Sequence, residues 1–180
     1  MIEAAMLVIA ASASPPCSGG VYDQFDFWVG DWTIEQRVHQ ADGSVETYPA
    51  TTSVRRSADG CTLTENWRGT TRLFWYGMDE PEEIWGYSVR RVDPKTGQWA
   101  ISWIDAKNAM TFGEPFVGGF ADGIGTFYQE AEQRRGRIRF RPQADGSVLW
   151  DLATLPPGRP DWHMLWEMRM RPAGQAGLSE

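Results

Sequence analysis

Phe25-Asp26-Phe27-Trp28-Val29-Gly30-Asp31-Trp32 joins a short aromatic plug to a Gly-x-Trp strand opening, and that junction points to a closed β-barrel. From Trp32 onward the hydrophobic period is two. Trp32, Ile34 and Val38 share one face while Thr33, Glu35, Arg37 and His39 share the other, giving one buried and one wet side. Cys61-Leu63-Trp67, Trp85-Tyr87-Val89, Trp99-Ile101-Trp103, Ile138-Phe140 and Val148-Trp150-Leu152 repeat the alternation against more polar opposite sets. At the C-terminal end Trp162, Met164, Trp166, Met168 and Met170 alternate with His163, Leu165, Glu167, Arg169 and Arg171, which predicts a long amphipathic strand.

Turn chemistry separates these segments. Ala-Asp-Gly recurs at 41–43, 58–60, 121–123 and 144–146, and Asp93-Pro94-Lys95-Thr96-Gly97 adds another turn. Asp tolerates a left-handed backbone and Gly carries no steric penalty there, as tight strand connections require. The pattern predicts about nine or ten strands in an antiparallel up-and-down meander. Such a sheet must hide its edges, and closing on itself abolishes them. A two-sheet sandwich is the alternative.

The 180 residues suffice for one well-buried domain, assigned to 14–171, with ten tryptophans and eight phenylalanines to fill it. A net charge of −7 disfavours a phosphate backbone, so no nucleic-acid partner is expected. Residues 4–13 have the length of a signal-peptide apolar core and end in Ala11-Ser12-Ala13, so residues 1–13 read as a signal peptide and the mature protein as periplasmic or secreted. The usual basic start is missing, with Glu3 the only charge before residue 23. No stretch reaches the roughly 18–20 apolar residues of a spanning helix, so no integral membrane segment is expected in the mature protein. Residues 172–180 carry too little apolar content to pack and read as a disordered tail. In an exported protein the even pair Cys17 and Cys61 reads as a disulfide, and two buried free thiols is the other reading.

Cys17, the Phe25–Trp32 run, Gly60-Cys61 and Glu65-Asn66-Trp67 together resemble a family of secreted bacterial proteins of unknown function in the lipocalin-like (calycin) group. Gly97-Gln98-Trp99 and Trp103-Ile104-Asp105 are similar to the family's mid-chain Gly-x-Trp and Trp-x-Asp pattern. The resemblance implies an exported lipocalin-like barrel with a short N-terminal helical plug, and no settled activity. In calycins the Gly-x-Trp indole closes one barrel end beneath an arginine from the last strand. Trp32 matches that tryptophan, and Arg169, or else Arg171, would supply the guanidinium.

Glu65 shares parity with Leu63 and Trp67, and Asp105 with Ile101 and Trp103, so both carboxylates would point inward. There they could act as general acid or base, or anchor a polar group of a ligand. The alternative for each is a strand end in solvent or an arginine partner. His163 is the one histidine a haem-binding barrel could use, although alternation puts it, like His39, on a polar face. No metal-ligand spacing is present. Arg137, Arg139 and Arg141 read as the outer face of a strand, with an anionic partner as the minor reading, and Gly118, Gly119, Gly123 and Gly125 read as strand kinks and a turn. The acidic run Asp79–Glu83 reads as a hairpin tip or as a lid.

The leading expectation is a cofactor-free barrel that binds a small hydrophobic or amphipathic molecule, lined by some of Trp67, Tyr87, Trp103, Trp150, Met164 and Trp166. The alternatives are an isomerase, cyclase or hydratase using Glu65 or Asp105 in the same space, a haem barrel, and a solid-cored barrel.

Overall fold

A computed structural model describes residues 16–107, 112–131 and 134–174. The expectations for residues 1–13 and for 175–180 lie outside the described residues. Ten strands follow one another: β1 (Gly30–His39), β2 (Val45–Arg56), β3 (Thr62–Thr71), β4 (Glu82–Asp93), β5 (Gln98–Asp105), β6 (Phe116–Ala121), β7 (Ile124–Ala131), β8 (Arg134–Pro142), β9 (Val148–Leu155) and β10 (His163–Pro172). Each pairs antiparallel with its sequence neighbour, and β1 pairs with β10 from Trp32↔Pro172 to Val38↔Trp166, so the sheet has no free edge. The closed barrel settles the choice against a sandwich. Pro172 belongs to this last ladder, and the Ala173 amide donates to the Asp31 carbonyl at 2.7 Å, so ordered pairing runs past the expected start of the tail.

The turns form for the reason their sequences suggest. Asp42, Asp59 and Asp145 each accept a bond from the backbone N–H two residues on, at 2.9 Å in every case, while Gly43, Gly60 and Gly146 follow with positive φ.

A nine-residue 3-10 helix, Gly20–Trp28, plugs the end at which β1 begins. Phe25 is fully buried there and meets Trp99, Phe120 and Phe140 edge-on at 4.9, 4.8 and 5.3 Å between ring centroids. Trp32 stacks on Trp28 at 5.0 Å and donates its indole N–H to the Trp28 carbonyl. The Cys17–Cys61 disulfide ties the plug to the barrel across a sequence separation of 44. Replacing both cysteines by serine is expected to cost about 3–4 kcal/mol in the chain-entropy picture, read from urea unfolding as a lower midpoint with a steeper slope, since the uncrosslinked unfolded chain exposes more surface. A loss below about 1 kcal/mol would show instead that the plug holds the arm without the bond.

Two strands depart from the expected faces. In β4 the buried residues are Ile84, Gly86, Ser88 and Arg90, while Trp85 is 60% exposed, so the Trp85-Tyr87-Val89 set faces outward. An alternating apolar triplet marked the wrong side, because at Gly86 the inner side has no room for a side chain. A Cβ on Gly86 would stand 1.9 Å from the Trp103 indole, which occupies that space. In β10 the register shifts between Met164 and Trp166, and this bulge turns Leu165, not Met164, toward the interior.

Arg169 does not cover Trp32 either. It pairs with Glu35 across the β1–β10 ladder and bonds Asp145 outside the barrel at 3.1 Å, while Arg171 is exposed opposite Thr33. Trp32 lies in register with Pro172 and so shares its face with Met170 and Met168, which excludes both arginines. Inside the barrel Arg90 packs its guanidinium on the plug, 5.5 Å from the Phe25 ring and 5.4 Å from Phe140, while Arg56 bonds the plug's Asp26.

Candidate functional site

Above the plug the barrel encloses a cavity of about 300 Å³. Trp28 and Phe140 border its floor, and Trp67, Trp103, Trp150 and Trp166 border its walls. The wall indoles hold one another edge-on, with Trp67 5.6 Å and Trp150 5.7 Å from Trp166. Trp166 is fixed from behind, since its indole N–H donates to the fully buried Gln36 at 2.9 Å and Gln36 in turn donates to the Thr70 carbonyl at 2.8 Å. Alternation places Gln36 between Ile34 and Val38, so its inward position was open to reading from sequence and was missed.

Trp75 and Tyr76 also border the cavity, from the short turn Phe74–Tyr76 between β3 and β4. Aromatic composition gave no sign that they would fold inward, because a turn has no period to read. Arg72 holds this turn to β2 through bidentate contacts with Glu46, which also accepts from Tyr48. The Arg72 bond, then the Tyr48 bond, hold the Glu46 carboxyl below its ordinary value of 4.5. A lowered folded value means that the contact stabilises the protein above the unfolded value and is lost as pH falls through the folded one. Wild type is therefore expected to exceed Glu46→Gln in stability at neutral pH, and the two melting curves should converge as the pH drops below 4.5. Curves that stay equally separated in acid would assign the effect to packing. The acidic run beyond the turn is exposed at Asp79 and Glu80, while Glu82 and Glu83 pair with Lys107 and Arg68.

Glu65 lies inside the barrel wall, 6% exposed. One of its oxygens accepts from Thr52 at 3.0 Å, and the other accepts from Ser88 at 2.9 Å and Arg90 at 2.7 Å. Arg90 was not foreseen; it sits on the β4 face that the alternation misassigned. Asp105 sits at the rim, outside the cavity wall, where it accepts from the Trp103 indole at 2.7 Å and the Tyr76 hydroxyl at 3.1 Å. It thus orients two aromatic rings of the wall and mouth.

Of the six expected wall residues, Trp67, Trp103, Trp150 and Trp166 border the cavity, and Tyr87 and Met164 do not, for the reasons of parity and bulge given above. Tyr87 borders an outer groove beside Trp85 and Arg68. His163 is exposed and absent from the cavity wall, and His39 bonds Glu167 at 2.8 Å on the outer face. Arg139 and Arg141 converge outside the barrel on Asp151, fully buried beneath them, at 3.0 and 2.8 Å. Arg137 stands 4.5 Å over the Trp162 ring.

No protein-family model matches the sequence, and no curated protein matches it. Among solved structures, the chain is similar to the S-type phycobiliprotein lyase CPES from Guillardia theta, with a TM-score of 0.55 at 13% identity over 83% of this chain and 89% of that one. It is also similar to Rv2717c from M. tuberculosis, with a TM-score of 0.60 at 10% identity over 86% and 98% of the two chains. These similarities show a lipocalin-like barrel fold.

Proposed function

We propose that this barrel binds a small hydrophobic or amphipathic molecule in its aromatic cavity, as an exported protein. One observation carries the reading: a space of about 300 Å³ remains inside a barrel rich in tryptophan, bordered by indoles that pack edge-to-face on one another around it. Pockets for small molecules run from about 300 to 1,000 Å³ and are mostly apolar with a few polar groups, which describes this one. The disulfide supports export, since such bonds persist in oxidising compartments. Among the described residues no helix is long and apolar enough to cross a membrane.

Titrating the protein with a panel of short-chain lipids, terpenoids and small aromatic compounds should change tryptophan emission saturably for at least one member. Trp166→Ala should weaken that binding by about tenfold or more, as expected for loss of a buried aromatic contact. Native mass spectrometry of freshly purified protein would identify any molecule carried through purification. Emission indifferent to every compound, together with a bare protein mass, would defeat the reading.

A further inference from the structure

The unmet hydrogen-bonding capacity of the cavity is all of one kind. Among the described lining residues, the buried side-chain atoms without a partner are Trp28 Nε1, Trp67 Nε1, and Arg90 Nε and Nη1, every one an N–H donor. The carboxylate beside them is already engaged, because Glu65 accepts from Thr52, Ser88 and Arg90. Arg90 is 3% exposed, and only its Nη2 is used, on Glu65 at 2.7 Å. Buried donors without acceptors are rare in folded proteins, since they lose their bonds to water with nothing in return. Trp28 and Arg90 both pack against the Phe140 ring, at 5.8 and 5.4 Å, which places these two residues at the floor of the cavity, while Trp67 belongs to its wall.

We infer that the cavity takes an organic carboxylate, held head-down on Arg90 with its ring or alkyl chain among Trp67, Trp103, Trp150 and Trp166. The inference rests on the binding reading above and gives that ligand its chemical class. A carboxylate offers two acceptor oxygens with about four lone-pair sites, which suits the guanidinium of Arg90, two of whose nitrogens have no partner. An ammonium would set a second cation against Arg90 and add donors where buried donors already stand unpaired. An alcohol would satisfy one or two of the donors and gain nothing from the charge. At about 30 Å³ per water, the space holds on the order of ten waters, which suits a short-chain or single-ring acid.

Calorimetric titration of the full chain with octanoate, 1-octanol and octylamine tests this. Octanoate should bind at least about tenfold more tightly than octanol, with octylamine weakest. Glu65→Gln removes a negative charge beside Arg90 and keeps an acceptor for it, so it should tighten octanoate several-fold and leave octanol unchanged. Arg90→Lys keeps the charge and loses the fork, and should weaken octanoate about tenfold and octanol by much less. Equal affinity for acid and alcohol would overturn the inference while leaving the binding reading standing. Weakened octanoate binding in Glu65→Gln would also overturn it, by moving the anchor to Glu65. Binding of neither compound would remove the inference and count against the cavity as a site. Should Arg90→Lys fail to fold, the Glu65→Gln titration decides alone.

Discussion

Phe25→Ala is expected to destabilise the barrel by about 3–5 kcal/mol, the range found when a fully buried phenylalanine is truncated. For a domain of this size that lowers the melting temperature by on the order of 10 °C. The ring is fully buried and is the one residue of the plug that touches Trp99, Phe120, Phe127 and Phe140 together, with centroid separations of 4.8 to 5.8 Å. Those partners come from β5, β6, β7 and β8, so one side chain fastens the plug to nearly half the staves of the barrel. The hole it leaves is ringed by aromatic groups already pinned by their own strands, which limits relaxation and places the cost toward the upper end. Ile124→Ala, at a site 41% exposed, serves as the control and should change stability by no more than about 0.5 kcal/mol. A Phe25→Ala protein that melted with the control would mean that the plug contributes no packing.

Arg90→Met is expected to cost a comparable amount, about 3–5 kcal/mol, for an electrostatic reason. Glu65 would keep its bonds to Thr52 and Ser88 but lose the cation that balances its buried charge. Changing both residues, as Arg90→Met with Glu65→Leu, should recover most of the loss, because well-packed apolar groups replace a buried ion pair at little net cost. The measured quantity is the coupling between the two sites from urea unfolding of the wild type, both single variants and the double variant. A double variant as unstable as the sum of the singles would show that the arginine contributes through packing against Phe25 and Phe140 and not through its charge.

The barrel was legible in the sequence because two local signals agreed. Alternation in β1, β3 and β5 put Trp32, Leu63 and Trp99 on the buried face, and the Asp-Gly turns between strands were spelled out by the residues that need a left-handed backbone. Hydrophobicity failed where a large neighbour had claimed the space. Gly86, Ser88 and Arg90 face inward because the Trp103 ring covers the first and Glu65 binds the other two, a three-strand arrangement that no single strand records. The bulge at Leu165 escaped for a similar reason, since an extra residue in a ladder leaves no mark in the strand's own composition. Trp67, Trp103, Trp150 and Trp166 could be read as facing the interior, whereas Arg90 and the mouth pair Trp75 and Tyr76 depend on contacts between elements distant in the chain.

Were the cavity to take a guest as proposed, the plug would close one end of the barrel to its escape. Trp75 and Tyr76 stand at the opposite end, where β3 runs into β4, so on that reading their rings would bear on entry and exit alike. Trimming Tyr76 is then expected to hasten uptake and release alike, with Kd changing only as far as the lost ring contact contributes.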